Sequence, residues 1–291
     1  MTRAILLGSY LMPGKFRPSW DSRGIHAMPF HYYSPAFRTS DTELDWDAPV
    51  ESPGLDFRDE EQLALLRALA SHGDEVQWPE HAEGPLEYYL TNSNFGPADA
   101  AVLYSMLRRC RPRLLIEVGA GFSTLIARQA IRANEAEGHP CRHVCIEPFE
   151  MPWLEQLEVE VIREKVERVP ADLFLQLSDN DVLFIDSSHV IRPGGDVTYL
   201  YLGVLPQLSP GVVIHAHDIF LPFPYPKEWV EEGRFWSEQY LLQALLIGSP
   251  LFEVLLAVHY LHRNFGEDFA AAFPVLRRYP HVGGSFWFRK C

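Results

Sequence analysis

The chain has 291 residues, 47% of them hydrophobic and 22% charged, with a formal net charge of −14. That length suits one large α/β domain with an appendage or two small domains, and the composition supports a sizeable core and excludes general disorder. So large an acidic excess argues against a nucleic-acid backbone or an anionic membrane as the main partner. No stretch reaches the ~18 uninterrupted apolar residues of a membrane span. The apolar run Ala4–Met12 lacks a small-residue cleavage site and ends at Pro13-Gly14, unlike a signal peptide. Four cysteines, Cys110, Cys141, Cys145 and Cys291, form no C-x-x-C pair. The Cys141/Cys145 spacing has no His or Cys partners at the usual zinc distances, so free thiols in a reducing cytoplasm are expected.

In chain order, residues 13–57 are irregular and punctuated by prolines, yet rich in aromatics (Trp20, Phe30, Tyr32, Tyr33, Phe37, Trp46, Phe57). That density suits an arm or cap packed on the main domain, drawn as residues 1–90, rather than a disordered linker. Within it, Phe30–Pro35 either lines a substrate pocket or covers apolar surface. Helical spacing marks 59–71, with Gly73 as its stop. A second helix starts at Pro97 and runs to Arg109, and the arginines 108, 109, 111 and 113 read as its solvated end. Tyr88, Asn92 and Phe95, just ahead of it, are either ligand neighbours or turn residues.

The first strand is the apolar run through Leu114–Val118, followed by Gly119 and Gly121 and a helical run from Leu125. Later strands are expected at 143–147, 159–162, 181–186, 212–219, 251–261 and 284–289. Helices are expected at 197–208 and 235–247, with a short one opened by 171–174, where Asp172 reads as an N-cap. Alternation along the fifth strand would put His215 and His217 on one face, and Ala216 and Asp218 on the other if the strand stays regular that far.

Strand, glycine turn and helix in that order make the first unit of a nucleotide-binding sheet. A dinucleotide turn wants G-x-G-x-x-G, but Thr124 stands at the third glycine. Glu117, two residues ahead of Gly119, would repel a diphosphate and suit a cationic or amino-bearing ligand. Glu147, at the end of the second strand, can accept both hydroxyls of a ribose. Asp186 and the pair His217-Asp218 end the fourth and fifth strands, so they would meet at the ligand-binding edge.

The pattern E-x-G-x-G-x-S from Glu117 to Ser123 resembles motif I of the class I S-adenosylmethionine (SAM)-dependent methyltransferases. The tracts Ile185-Asp186-Ser187-Ser188-His189 and His215-Ala216-His217-Asp218-Ile219 resemble a bacterial, small-molecule subgroup of that family. The resemblance implies a Rossmann-like α/β fold, with seven mostly parallel strands sandwiched by helices over residues 91–291. It implies SAM held by Glu117, Gly119, Gly121, Ser123, Glu147 and Asp186, and offers Asp172 a place near the adenine as the alternative to N-capping. It further implies O-methylation of a hydroxyl on a sugar or natural product, with His217, Asp218 and His189 as catalytic candidates. Catechol-type relatives bind a divalent ion such as Mg at two acid positions matched here by Asp186 and Asp218, but Ile219 replaces their neighbouring Asn. The loop Phe220–Trp229 is the expected acceptor wall. The expected partner is a small-molecule acceptor, with self-association left open. The rivals are a nicotinamide-dependent oxidoreductase, disfavoured by the missing glycine, and a non-catalytic binding protein on the same fold.

Overall fold

The computed structural model describes residues 22–24, 32–73, 75, 77–149, 151–280 and 282–291. Trp20, Phe30, His31 and the run Ala4–Met12 lie outside them. Two compact units emerge, one drawn from 1–46 and 225–235, the other from 47–224 and 236–291. The division therefore falls far ahead of residue 90. The reason is helix α1 (Asp59–Gly73), which packs on helix α2 (Pro97–Cys110) and on strand β6 (Phe252–Ala257). Gln62 of α1, fully buried, fixes that contact: its amide donates to the Phe57 carbonyl and accepts the Ala257 N–H at 2.7 Å.

The larger unit is a seven-stranded sheet in the order β3-β2-β1-β4-β5-β7-β6. Its strands are β1 (Leu114–Val118), β2 (Arg142–Ile146), β3 (Glu160–Ile162), β4 (Val182–Ile185), β5 (Val213–Ala216), β6 and β7 (Phe286–Lys290). The first five run parallel, while β7 enters antiparallel between β5 and β6. Parallel strands covered on both faces read as continuous apolar runs, as LLIEV and VLFI do here. Leu115 and Phe184 join the core beneath α2 and helix α3 (Phe122–Ala136), while Ile116 and Leu183 face the opposite core with Tyr201 and Ile214.

Three expectations need correction. The 251–261 run is strand only to Ala257; Val258 and Leu261 are then buried at helical spacing in α8 (Val258–Asn264). The 197–208 helix breaks into an α-turn, a π-helical turn over Tyr199–Val204 and a 3₁₀ turn, where Pro206 cannot continue an α-helical ladder. Arg108 is no solvated helix end. It is buried against Asn134 and ion-paired with Glu75 and Glu137.

In the smaller unit, Thr39 donates its hydroxyl to Glu231 at 3.0 Å, the rings of Phe37 and Phe235 lie 5.8 Å apart, and Tyr32 and Tyr33 are exposed. Among the described residues no helix is long and apolar enough to cross a membrane. All four cysteines are free thiols.

Candidate active site

The turn after β1 is dictated by one glycine. Gly119 has φ +78°, and a Cβ there would lie 1.8 Å from the Asp186 carbonyl oxygen, so no other residue fits. Gly121 is extended, and a Cβ on it would meet only Met151 at 3.8 Å, so it serves open access rather than backbone freedom. Thr124, at the place of a third glycine, accepts the Gly121 N–H through its hydroxyl at 3.0 Å.

Glu147 follows β2. Its carboxylate accepts the N–H of Phe149 at 2.9 Å and of Ala120 at 3.3 Å, which ties it to the glycine turn. Two adjoining clefts share Gly119, Glu147 and Asp186. One, of about 270 Å³, is lined by Phe149, Val166 and Ser188; the other, of about 170 Å³, by Asn94, Phe95, Gly121 and Ser123. They lie off the C-terminal ends of β1, β2 and β4, where open α/β sheets bind ligands.

Several expected neighbours are placed differently. Glu117 lines neither cleft: it is buried beneath the turn, accepting the Ser123 hydroxyl at 2.6 Å, with His143 Nε2 at 2.9 Å. Asp172 is exposed, and Val166 and Glu167 line the cleft in its stead. Tyr88 is core, its hydroxyl donating to the Phe95 carbonyl, and the Asn92 amide stitches the Tyr89–Phe95 turn. Of that trio only Phe95 reaches a cleft, and its ring also lies 4.9 Å from that of His217. Phe220, Leu221 and Phe223 are buried, and Trp229 belongs to the smaller unit, where Arg234 lies over its ring.

Asp186, at the shared edge of both clefts, opens into a half-buried ionic cluster built around two buried imidazoles. Asp218 leaves β5 with φ +57° and so departs from the alternation a longer strand would impose. That turn brings it beside His217 rather than to the opposite face. His217 Nδ1 lies 3.6 Å from Asp186 and 3.5 Å from Asp218, and its Nε2 lies 3.6 Å from Asp99. His189, also left-handed at φ +59°, places Nε2 at 3.2 Å from Asp186 and 3.6 Å from Asp218, with Nδ1 2.8 Å from Glu238. Asp196 fixes the intervening loop by accepting both the N–H and the hydroxyl of Ser188 at 2.7 Å. Left-handed backbone at non-glycine residues costs free energy, and it recurs where function demands the geometry.

The electrostatics follow from the packing. Burial disfavours a charged His189, but Asp186 and Glu238 outweigh it and raise its pKa to about 10. Burial likewise opposes charge on His217, and Asp218 with Asp186 overcomes it, leaving the pKa well above the usual imidazole range. For Asp186 the burial penalty is exceeded by the imidazoles of His217 and His189, so its pKa falls. His215, buried and next to His217, is pushed the other way; it accepts or donates at Ser285 at 2.9 Å and is a core residue.

Asp99 and Glu238 carry no motif and escaped the sequence reading. Asp99 sits in the first turn of α2, and its carboxylate accepts the N–H groups of Gly284 and Ser285, beside β7. Glu238 is the first residue of helix α7 (Glu238–Leu246) and is completely buried. An acid at the head of a helix usually signals a solvated cap, which hid both.

A parallel sheet in this order with an antiparallel β7 inserted beside β5, and a glycine turn after β1, is the fold of a class I methyltransferase domain. Residues 116–219 match a family model described as "Methyltransferase domain". A protein of Archaeoglobus fulgidus, described as uncharacterized, is 28% identical over 165 residues, covering 52% of this chain and 74% of its own. Among solved structures, cmcI with Mg and SAM is 16% identical with a TM-score of 0.39, over 74% of this chain and 85% of that one. A candidate methyltransferase from Thermobifida fusca is 12% identical with a TM-score of 0.36, over 82% and 96%.

Proposed function

We propose that the protein transfers a methyl group from SAM to a hydroxyl of a small molecule, with a divalent cation at the strand ends. The observation that carries this reading is Asp186: one residue forms the shared edge of the clefts and belongs to the acid–imidazole cluster. The clefts suit the cofactor. Glu147 is poised for the ribose hydroxyls, Phe149 and Val166 offer a wall for the base, and Gly119 to Gly121 with Ser123 leave room for the amino-acid end. Glu117 serves from below, holding the Ser123 hydroxyl. Bound SAM supplies an electrophilic methyl on a sulfonium.

The cluster suits a cation on two grounds. Asp186, His217 and Asp218 offer three ligand atoms within 4.8 Å of one another. Both ring nitrogens of His217 are buried and make no hydrogen bond, only the longer ionic contacts already described. With both imidazoles charged, four carboxylates (buried Asp99 and Glu238, half-buried Asp186 and Asp218) still leave two negative charges, unfavourable in a largely desolvated cluster. A divalent ion there would offset that charge and acidify an acceptor hydroxyl. Asp186 and Asp218 would hold it, and His217, once its own proton has been displaced, would either complete the set or take the hydroxyl proton itself. Ile219 contributes nothing: it is buried apolar core, its N–H bonded to the Gly284 carbonyl.

Calorimetry with SAM and with NAD tests the cofactor, and NAD binding without SAM binding would overturn it. Labelled-methyl transfer across a panel of hydroxylated small molecules tests the reaction. Transfer should be lost in Asp218→Ala while SAM affinity persists; a protein that binds SAM and methylates nothing would be the non-catalytic rival.

A further inference from the structure

A second set of metal-type donors lies beneath the glycine turn, outside both clefts. Parallel register sets Glu117 of β1 opposite Cys145 of β2 and Leu115 opposite His143. Residues two apart on a strand share a face, so His143 and Cys145 flank the Glu117 carboxylate on the α3 side of the sheet. Three donor types converge there: Glu117 Oε2 lies 2.9 Å from His143 Nε2, and Cys145 Sγ lies 3.5 Å from each. All three residues are buried, at 3% exposure or less. The other Glu117 oxygen is held by Ser123, as an outer hydrogen bond holds a ligating carboxylate.

We infer that Glu117, His143 and Cys145 form a structural metal site for Zn²⁺ or a similar thiolate-binding ion, which fastens β1 to β2 under the turn. Tetrahedral zinc, with its usual bond lengths, separates sulfur from nitrogen or oxygen by about 3.5 Å and nitrogen from oxygen by about 3.3 Å. The sulfur distances already match, and the Glu117–His143 pair needs to open by only about 0.4 Å. Charge also balances. The ion displaces the Cys145 thiol proton, and a thiolate, a carboxylate and a neutral imidazole then leave the pocket with no net charge. A trapped water would complete four ligands. In sequence, Cys141 and Cys145 looked like an unsupported zinc spacing; the third and second ligands come from β1 and from between the two cysteines.

The site shares Glu117 with the underside of the proposed cofactor cleft, so its test avoids activity altogether. The Asp186→Asn/Asp218→Asn double variant, expressed in zinc- or cobalt-supplemented medium, removes the acidic cluster as a source of metal. It should retain about one zinc per chain after dialysis against EDTA. Its cobalt form should show a near-ultraviolet thiolate-to-cobalt charge-transfer band, which requires a cysteine ligand. Cys145→Ser in the same background should lose the band and the zinc, and its melting temperature should drop by at least about 5 °C. His143→Gln serves if Cys145→Ser does not fold. Absence of zinc and of the band in the double variant would overturn the site, as would a band that survives both substitutions.

Discussion

Glu238 Oε2 lies 2.8 Å from His189 Nδ1, while the His189 carbonyl accepts the N–H groups of Ser237 and Glu238 in return. The exit of β4 and the start of α7 therefore clasp each other through one imidazole. Trp236 covers the ring from one side at 4.2 Å. Glu238 thus acts as a positioning residue: it turns His189 Nε2 toward Asp186 and Asp218. Glu238→Gln keeps the shape and removes the charge, so methyl transfer should fall by about 10- to 100-fold with little change in SAM affinity. Initial-rate kinetics alongside SAM calorimetry check this; a proportional loss of both would show a general structural role instead.

The same clasp makes stability depend on pH. The folded-state pKa of His189, about 10, lies above the unfolded value of 6.5. Its contribution is therefore complete below about pH 6.5 and disappears as pH rises toward 10. Asp186 has the opposite sign: its depressed pKa gives stability above the ordinary carboxylate range that is lost on acidification. Denaturant melts should show greatest stability near pH 5–6 and a loss of a few kcal/mol by pH 10, on the order set by the linkage relation. The alkaline loss should shrink in Glu238→Gln.

Much of this was readable from residue order, and the failures have physical causes. The strands of the sheet were visible because doubly covered strands are apolar throughout, and Asp186, His217 and Asp218 because strand ends face the crevice. The inward turn of Glu117 was not legible, because a motif specifies a position along the strand but not which way the side chain turns; here Ser123 and His143 bind it inward. Asp218 escaped the alternation argument because β5 ends at Ala216 and a left-handed residue follows. Asp99 and Glu238 were invisible since their partners come from distant segments: Ser285 lies 186 residues from the former, and His189 lies 49 from the latter.

Gly119 offers the sharpest backbone test. In Gly119→Ala a Cβ would overlap the Asp186 carbonyl oxygen, on a backbone that L residues avoid. The turn must shift and carry Asp186 with it. We expect a loss of about 2 kcal/mol or more in stability and no detectable SAM binding. Gly121→Ala, whose Cβ would make only an ordinary contact with Met151, should keep the fold and weaken SAM binding far less. Thermal melts and calorimetry on the pair separate backbone need from ligand access.

Glu147→Gln probes the nucleoside side alone. The amide retains an acceptor oxygen for Phe149 or Ala120 and loses the carboxylate's charge-assisted bonds to hydroxyls, each about 1.5–3 kcal/mol. The expected result is a rise in the SAM Kd and KM of about 10- to 100-fold with kcat largely kept. An unchanged KM would remove Glu147 from the cofactor site.

The acid pair decides between the two ways of activating an acceptor. If a cation spans Asp186 and Asp218, excess chelator should abolish transfer without altering SAM affinity, and added Mg²⁺ should restore it. Asp218→Asn, which keeps the side chain's shape but loses its charge, should lower the rate by at least about 100-fold and raise the Mg²⁺ concentration needed for half-maximal activity. Should activity persist undiminished in chelator, the neutral form of His217 becomes the proton acceptor, and the rate should rise with pH because the surrounding acids favour its protonated form. In that case His217→Asn should be the most damaging single change, because His217 Nδ1 stands between Asp186 and Asp218 at 3.6 and 3.5 Å, whereas His189 Nδ1 is already held by Glu238. Rates measured with and without chelator for these two variants and the parent distinguish the outcomes.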